Sequence, residues 1–285
     1  MNVSSKAARA WDAETSNSWV NWWSSAACQS HYNFAVCGEA APGSSEGCRI
    51  RLRRLLNGGK LSHGVSVGCG AGSKEIALLQ DGLVDRFDLW EIAPRLAREG
   101  EDAAVEAGVG DRVTYRIGDA FAETPEGSYD LVYWDHSLHH MSDVQAALAW
   151  SVRVLRSGGV VMINDYIGAN RLQFPNWQIR RANDFLRRHG LPGRLPPSSP
   201  WRRLRQWIKD PSEAPQSEDI EAAIHQQLPG AEIEHIGGAF LNMLGGAVVP
   251  LCDDESPVLK AMLEEDDQLR REGCSHFAFT LWRKS

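Results

Sequence analysis

From about residue 58 the chain alternates short apolar runs with segments of helical period, the pattern of a parallel sheet covered by helices. Runs at 64–68, 86–91, 113–117, 129–134 and 159–165 predict five strands. The first runs into a glycine turn, and the helix after it carries Ile76, Ala77 and Leu79 on its buried side with Gly82 as a stop. Pro94 suits the first position of the next helix, and Ser142 with Gln145 reads as a capping box for a helix ending near Leu155. Beyond residue 216 the pattern predicts a helix at 218–228, a strand at 231–236, an amphipathic helix at 256–272 and a last strand at 276–282. The amphipathic helix has Val258, Leu259, Met262, Leu263 and Leu269 on one face, opens at Ser256-Pro257 and stops at Gly273.

Between these blocks the regularity fails. Residues 170–216 hold prolines at 175, 192, 196, 197, 200, 211 and 215 and two arginine-rich helical stretches, which reads as an insertion that closes over the sheet as a lid. Residues 1–57 read as a tryptophan-rich helical cap, leaving 58–169 and 217–285 as the core. No internal repeat is present.

Composition narrows the picture. With 285 residues, 43% apolar and 24% charged, the chain can bury a large core, and disorder or a fibrous repeat is excluded. Six cysteines show no CxxC pair and no ligand spacing, so free thiols and no metal site are expected. Residues 1–30 lack the apolar stretch of a signal peptide, and no run approaches the roughly 18 apolar residues of a membrane span, so the expectation is a cytoplasmic protein without membrane contact.

Chemistry enters at the strand ends. Gly68, Gly70 and Gly72 form a G-x-G-x-G turn from a strand into a helix, where backbone N–H groups can approach a ligand that a Cβ would obstruct. Ser73 stands where a dinucleotide fingerprint wants its third glycine. Glu91 closes the next strand, where a carboxylate can accept ribose hydroxyls, and Asp119 and Asp135 follow strands three and four. In an open parallel sheet these ends share one edge, so the four positions converge. Each alone also reads as a loop acid or a helix cap.

As a set, VSVGCGAG, LWEIAP, GDAF, DLVYWDHSLHHM and LRSGGVVMINDY resemble the class I S-adenosylmethionine-dependent methyltransferases of the small-molecule type. The resemblance covers residues 60–166 by motif and 217–284 by element order. It implies an α/β, Rossmann-like sheet of seven strands whose last strand runs antiparallel, with the N-terminal cap and the insertion after strand five added to it. It also implies that S-adenosylmethionine, leaving as S-adenosylhomocysteine, is held by Gly68, Cys69, Gly70, Gly72, Glu91, Ile92, Asp119, Ala120, Asp135 and His136. One position departs: the acid often found two residues before the first glycine is Ser66 here.

Methyl transfer needs a base only when the acceptor carries a proton. His139 is the preferred base or orienting group, with Asp165 and Tyr166 placing the substrate; His136 and His140 share the same loop. A histidine that merely caps or packs is the competing reading.

Net charge is 30 − 37 = −7, yet residues 171–209 carry nine arginines and Lys209 against Asp184, a local +9 that leaves −16 elsewhere. Arginine forks match carboxylates and phosphates, while a solvated face paired with the acidic body explains them equally. Tryptophans 11, 19, 22, 23, 177, 201 and 207, seven of eleven, lie in the cap and the insertion, which places both anomalies on the acceptor side. The expected activity is methyl transfer to an O, N or S atom of a small polar, anionic metabolite or a sugar. Methylation of tRNA through the basic insertion, a non-catalytic cofactor-binding partner subunit, and an NAD-dependent oxidoreductase are the alternatives. The acidic remainder argues against nucleic acid. Oligomeric state stays open, a homodimer included.

Overall fold

The computed structural model describes residues 22–285. Trp11 and Trp19, with the rest of the expected cap before residue 22, lie outside the described residues. Helices α1 (Ala26–Cys37) and α2 (Glu46–Leu56) come first. Ser25 caps α1 by accepting the Cys28 N–H, and Gly38 ends it at φ +77°. The sheet follows: β1 (Leu61–Val67), α3 (Ser73–Gln80), β2 (Val84–Trp90), α4 (Pro94–Glu106), β3 (Val113–Arg116), the short α5 (Ala120–Glu123), β4 (Tyr129–Asp135), α6 (Val144–Val154) and β5 (Leu155–Tyr166). The insertion holds α7 (Asn176–Arg188) and α8 (Pro200–Lys209), and the chain ends with α9 (Ile220–Gln227), β6 (Glu234–Gly237), α10 (Ala239–Val248), α11 (Pro257–Arg271) and β7 (Phe277–Arg283).

The strands form one sheet of seven in the order β3-β2-β1-β4-β5-β7-β6. The first five run parallel, and β7 runs antiparallel between β5 and β6. Alternate residues of each strand enter opposite cores, as the two-residue period of a strand requires. Leu131 and Tyr133 of β4 with Val160 and Met162 of β5 join α1, α2, α3, α7, α10 and α11 on one face. Val132 and Trp134 with Val161 and Ile163 join α6 and α9 on the other. The cap shares the first core: Trp22, Cys28, Tyr32, Cys48 and Leu52 are buried within it, and a Cβ on Gly245 would meet Trp22 at 2.8 Å.

Local boundaries differ from the sequence reading: β1 starts three residues earlier, at Leu61, and β5 four earlier, at Leu155, and three further differences have a local cause. Asp143, not Ser142, caps α6 and accepts the Ala146 N–H at 2.8 Å; the two candidate caps are adjacent, and Asp143 is the residue in extended conformation at the helix start. Strand β6 begins at Glu234 because its ladder with β7 starts there, while Ala231 and Ile233 pack onto the core from outside it. Helix α10, AFLNMLGGAV, has no counterpart in the pattern: it is apolar nearly all round, so no period marks it. All six cysteines are free thiols.

Candidate active site

The glycine turn lies at the carboxyl end of β1. Gly68, Gly70 and Gly72 take φ of +69°, +58° and +65°, conformations that a side chain resists. Behind the turn space is tight: a Cβ on Gly72 would lie 2.3 Å from the Tyr115 hydroxyl. In front it is open, with nothing within 4 Å of a Cβ built on Gly70. The open side fits a ligand that approaches backbone closely.

Glu91 ties this turn to the end of β2. Its Oε2 accepts the Gly70 N–H at 2.8 Å and its Oε1 accepts those of Ile92 and Ala93 at 2.8 and 2.9 Å. Glu91 is buried, Ile92 exposed and Cys69 half-buried. Asp119 is exposed and caps α5 by accepting the Phe121 N–H at 3.0 Å, which buries Ala120 behind it.

Asp135 is closed by the protein. Lys74 Nζ donates to its Oδ1 at 2.7 Å and the Tyr133 hydroxyl donates to Oδ2. Burial would raise the Asp135 pKa, but the charge and hydrogen bond of Lys74 outweigh it and hold the carboxyl below its usual range. His136 turns at φ +55° into an aromatic group, its ring 4.4 Å from that of Trp23 and 5.2 Å from that of Phe277. Burial, then the Lys74 charge, pulls its pKa down to about 3, so the ring is neutral.

The other strand-end acid meets a histidine. Asp165, at 0% exposure, accepts the N–H groups of Ser137, Leu138 and Tyr166 at 2.7 to 2.8 Å, and that of His139 at 3.3 Å. His139 Nδ1 lies 2.5 Å from Asp165 Oδ1. Burial opposes both charges, yet each group stabilises the other: Asp165 falls to about 2, and the charge and hydrogen bond of Asp165 raise the His139 pKa above its ordinary value. An ionised Asp165 fixes the proton on Nδ1, which leaves Nε2 as the basic nitrogen. Tyr166 is spent structurally, its hydroxyl donating to the Ala169 carbonyl at 3.0 Å, and burial keeps its phenol protonated.

The histidine loop and the glycine turn are neighbours. A Cβ on Gly68 would lie 3.4 Å from Cβ of Ser137, whose N–H binds Asp165. The structure therefore brings Gly68, Gly70, Glu91, His139 and Asp165 to one edge, with Lys74 joining α3 to β4.

Three participants were not singled out in the sequence. Lys74 follows the glycine turn directly and closes Asp135. Glu75 is buried and accepts the Ser66 hydroxyl at 2.7 Å, so a carboxyl stands beside Ser66 from the helix rather than from the strand. Glu213 comes from the insertion: one donor atom each of His139, His140 and Glu213 lie within 4.8 Å of one another, the group of metal-ligand type found among the described residues. Two nitrogens and one oxygen suit an imidazole-binding transition metal such as zinc rather than magnesium. Ser66, standing where relatives often have an acid, was the available signal for Glu75; Glu213 had none.

The insertion divides by function. Arg181 pairs with Glu265 and Glu272, and Arg188 with Glu265, so α7 is bound to the acidic α11. Arg171 donates to the carbonyls of Pro211 and Glu213, which holds the 210–216 segment against the site.

Sheet order, glycine turn and strand-end acids together are those of the class I S-adenosylmethionine-dependent methyltransferase fold. Residues 65–163 match the model of the methyltransferase domain family. Among curated proteins, 27-O-demethylrifamycin SV methyltransferase of Amycolatopsis mediterranei (strain S699) is 33% identical over 106 residues, 36% of this chain and 38% of the relative. A probable chloroplastic tocopherol O-methyltransferase of Oryza sativa subsp. japonica is 28% identical over 162 residues, 53% of this chain and 43% of the relative. The chain thus spans less than half the length of either. Among solved structures, geranyl diphosphate C-methyltransferase from Streptomyces coelicolor A3(2) superposes with a TM-score of 0.56 at 16% identity, over 100% of this chain and 98% of that one. At that identity the likeness is one of fold.

Proposed function

We propose that the chain moves the methyl group of S-adenosylmethionine to a proton-bearing O, N or S atom of a small polar acceptor, with His139 as the base. The observation that carries this is the buried His139–Asp165 pair beside the glycine turn. Gly68, Gly70 and Glu91 hold the cofactor, which supplies an electrophilic methyl on a sulfonium. The protein contributes position and proton transfer. Fixing the acceptor in line with the methyl can supply roughly 7 to 11 kcal/mol of the barrier, and His139 Nε2 removes the acceptor proton while Asp165 stabilises the resulting imidazolium. The relative named above as a probable O-methyltransferase supports a hydroxyl acceptor. Of a sugar and an anionic metabolite, the sugar is the acceptor that the 210–216 segment favours, since Arg171 holds that segment at the site and it brings the Glu213 carboxylate, not a cation, to His139. Cys69, Ile92 and Asp119 border the cofactor, whereas Ala120 is buried behind Asp119, Asp135 is closed by Lys74 and Tyr133, and His136 packs on Trp23 and Phe277; Tyr166 shapes the acceptor side through its ring, 5.8 Å from that of His139.

Titration calorimetry with S-adenosylhomocysteine tests the cofactor reading. Binding by the intact chain, weakened about 10-fold or more in Glu91→Ala, is the expected result, since hydrogen bonds to a charged group are worth roughly 1.5 to 3 kcal/mol. Absent binding, or unaltered affinity in the variant, rejects it. A screen of polar metabolites for S-adenosylhomocysteine formation separates an enzyme from a cofactor-binding partner subunit.

A further inference from the structure

Helix α8 has the sequence PWRRLRQWIK. At 100° per residue, Trp201, Leu204, Trp207 and Ile208 fall within one arc of about 120°, and Arg202, Arg203 and Arg205 occupy the remainder. Such an apolar arc ordinarily faces a core. Here it faces outward: Trp201 is 79% exposed, Ile208 54%, Trp207 47% and Leu204 43%. Arg202 donates to the Pro196 carbonyl at 2.7 Å but makes no ion pair among the described residues. Arg203 and Arg205 make no ion pair among the described residues, whereas Arg181 and Arg188 of neighbouring α7 are paired with α11. Exposed tryptophan, leucine and isoleucine on one side of a short helix and arginine on the other is the composition of a helix that lies in a membrane interface.

We propose that α8 docks the protein peripherally on an anionic lipid bilayer. Trp201, Leu204 and Ile208 enter the boundary between headgroups and acyl chains, and Arg202, Arg203 and Arg205 meet lipid phosphates. Charge complementarity selects this partner: the segment 171–209 carries +9 on a chain of net −7, so the positive surface is local and the acidic remainder is kept away from the bilayer. Leu204 and Trp207 also line a cavity with Arg171 and Pro215, while Trp201 and Ile208 stand clear of it, and the apolar arc gains little from a nucleic acid's phosphate track. The location matters as well. Asp210, Pro211 and Ser212 follow α8 directly, and the Ser212 carbonyl lies 3.2 Å from His140 Nδ1, so docking sets the mouth of the site beside the bilayer. The inference stands on the helix alone and does not depend on the catalytic reading.

The test is sedimentation of the full chain with phosphatidylcholine vesicles prepared with and without phosphatidylglycerol. Binding to the phosphatidylglycerol vesicles, reduced about tenfold or more in Trp201→Glu/Ile208→Glu and in Arg202→Gln/Arg203→Gln/Arg205→Gln, is expected. All altered positions but the half-buried Arg202 are exposed, and circular dichroism checks that both variants fold. Absence of binding to either vesicle, equal binding by the variants, or binding to an RNA oligonucleotide but not to vesicles overturns the proposal.

Discussion

His139 Nδ1 and Asp165 Oδ1 lie 2.5 Å apart in a buried pair that joins the loop after β4 to the end of β5. Asp165 is fixed independently of the His139 ring, because four backbone N–H groups, from Ser137, Leu138, His139 and Tyr166, converge on it. The imidazole is consequently held in one tautomer and one orientation.

The pH dependence of turnover follows from this pair. The Asp165 carboxylate raises the His139 pKa despite burial, so the basic form accumulates only above the ordinary histidine value of 6.5. Plotted against pH, kcat/KM rises through an apparent pKa above 6.5. His139→Gln lowers kcat by roughly 10²- to 10⁴-fold while S-adenosylhomocysteine affinity is retained. A profile flat across neutral pH would remove His139 from proton transfer.

Gly72 and Tyr115 are coupled by space. The Tyr115 hydroxyl is buried without a hydrogen-bond partner, 2.3 Å from where a Gly72 Cβ would stand. Gly72→Ala should cost about 1 to 3 kcal/mol through overpacking and the positive φ. Tyr115→Phe should be neutral or slightly stabilising, since it deletes an unsatisfied polar atom. In the double variant part of the Gly72→Ala cost should vanish; strict additivity in denaturant melts would place the strain in the backbone alone.

Lys74 and Asp135 form an ion pair whose carboxylate is nearly inaccessible. Lys74→Met leaves that charge unpaired, a loss of about 3 to 5 kcal/mol, and adding Asp135→Asn should restore much of it. Because the folded pKa of Asp135 is depressed, its contribution is present above the ordinary carboxylate range and disappears as pH falls through the folded value. Thermal melts of the single and double variants measure both effects.

Glu75 behaves oppositely. Burial raises its pKa to about 7, with the Ser66 hydroxyl offsetting part of the shift. A raised carboxyl pKa contributes stability that is complete below the unfolded value near 4.5 and is lost as pH rises through about 7. Glu75→Gln should therefore flatten the neutral limb of the stability curve and gain on the order of 3 kcal/mol at alkaline pH. A variant whose melting temperature tracks the parent at every pH would mean that Glu75 titrates normally.

Much of the fold is legible along the chain because its rules act locally. The alternation in YDLVYW assigns Leu131 and Tyr133 to one face and Val132 and Trp134 to the other, which is how the two cores divide. Gly68 and Gly72 mark a turn that only positive φ can make, and Ser256 caps α11 at the expected position. Helix α10 was hidden for a physical reason: Phe240, Leu241, Met243 and Leu244 are all buried, so no polar face breaks its apolar run. The site was less readable. Asp135 and Asp165 look alike as acids after neighbouring strands, yet one receives a lysine and the other a histidine.

Strand positions, the glycine turn and the acid closing β2 were determined by the sequence alone, since periodicity and allowed backbone angles operate over a few residues. Which groups neutralise which was decided by the tertiary structure. Register across the sheet sets Lys74 against Asp135 and Ser137 against Gly68, and the path of the insertion brings Glu213 to His139 and His140. No spacing in the chain encodes those distances, because they exist only once β1, β4 and β5 are paired and the cores on both faces are filled.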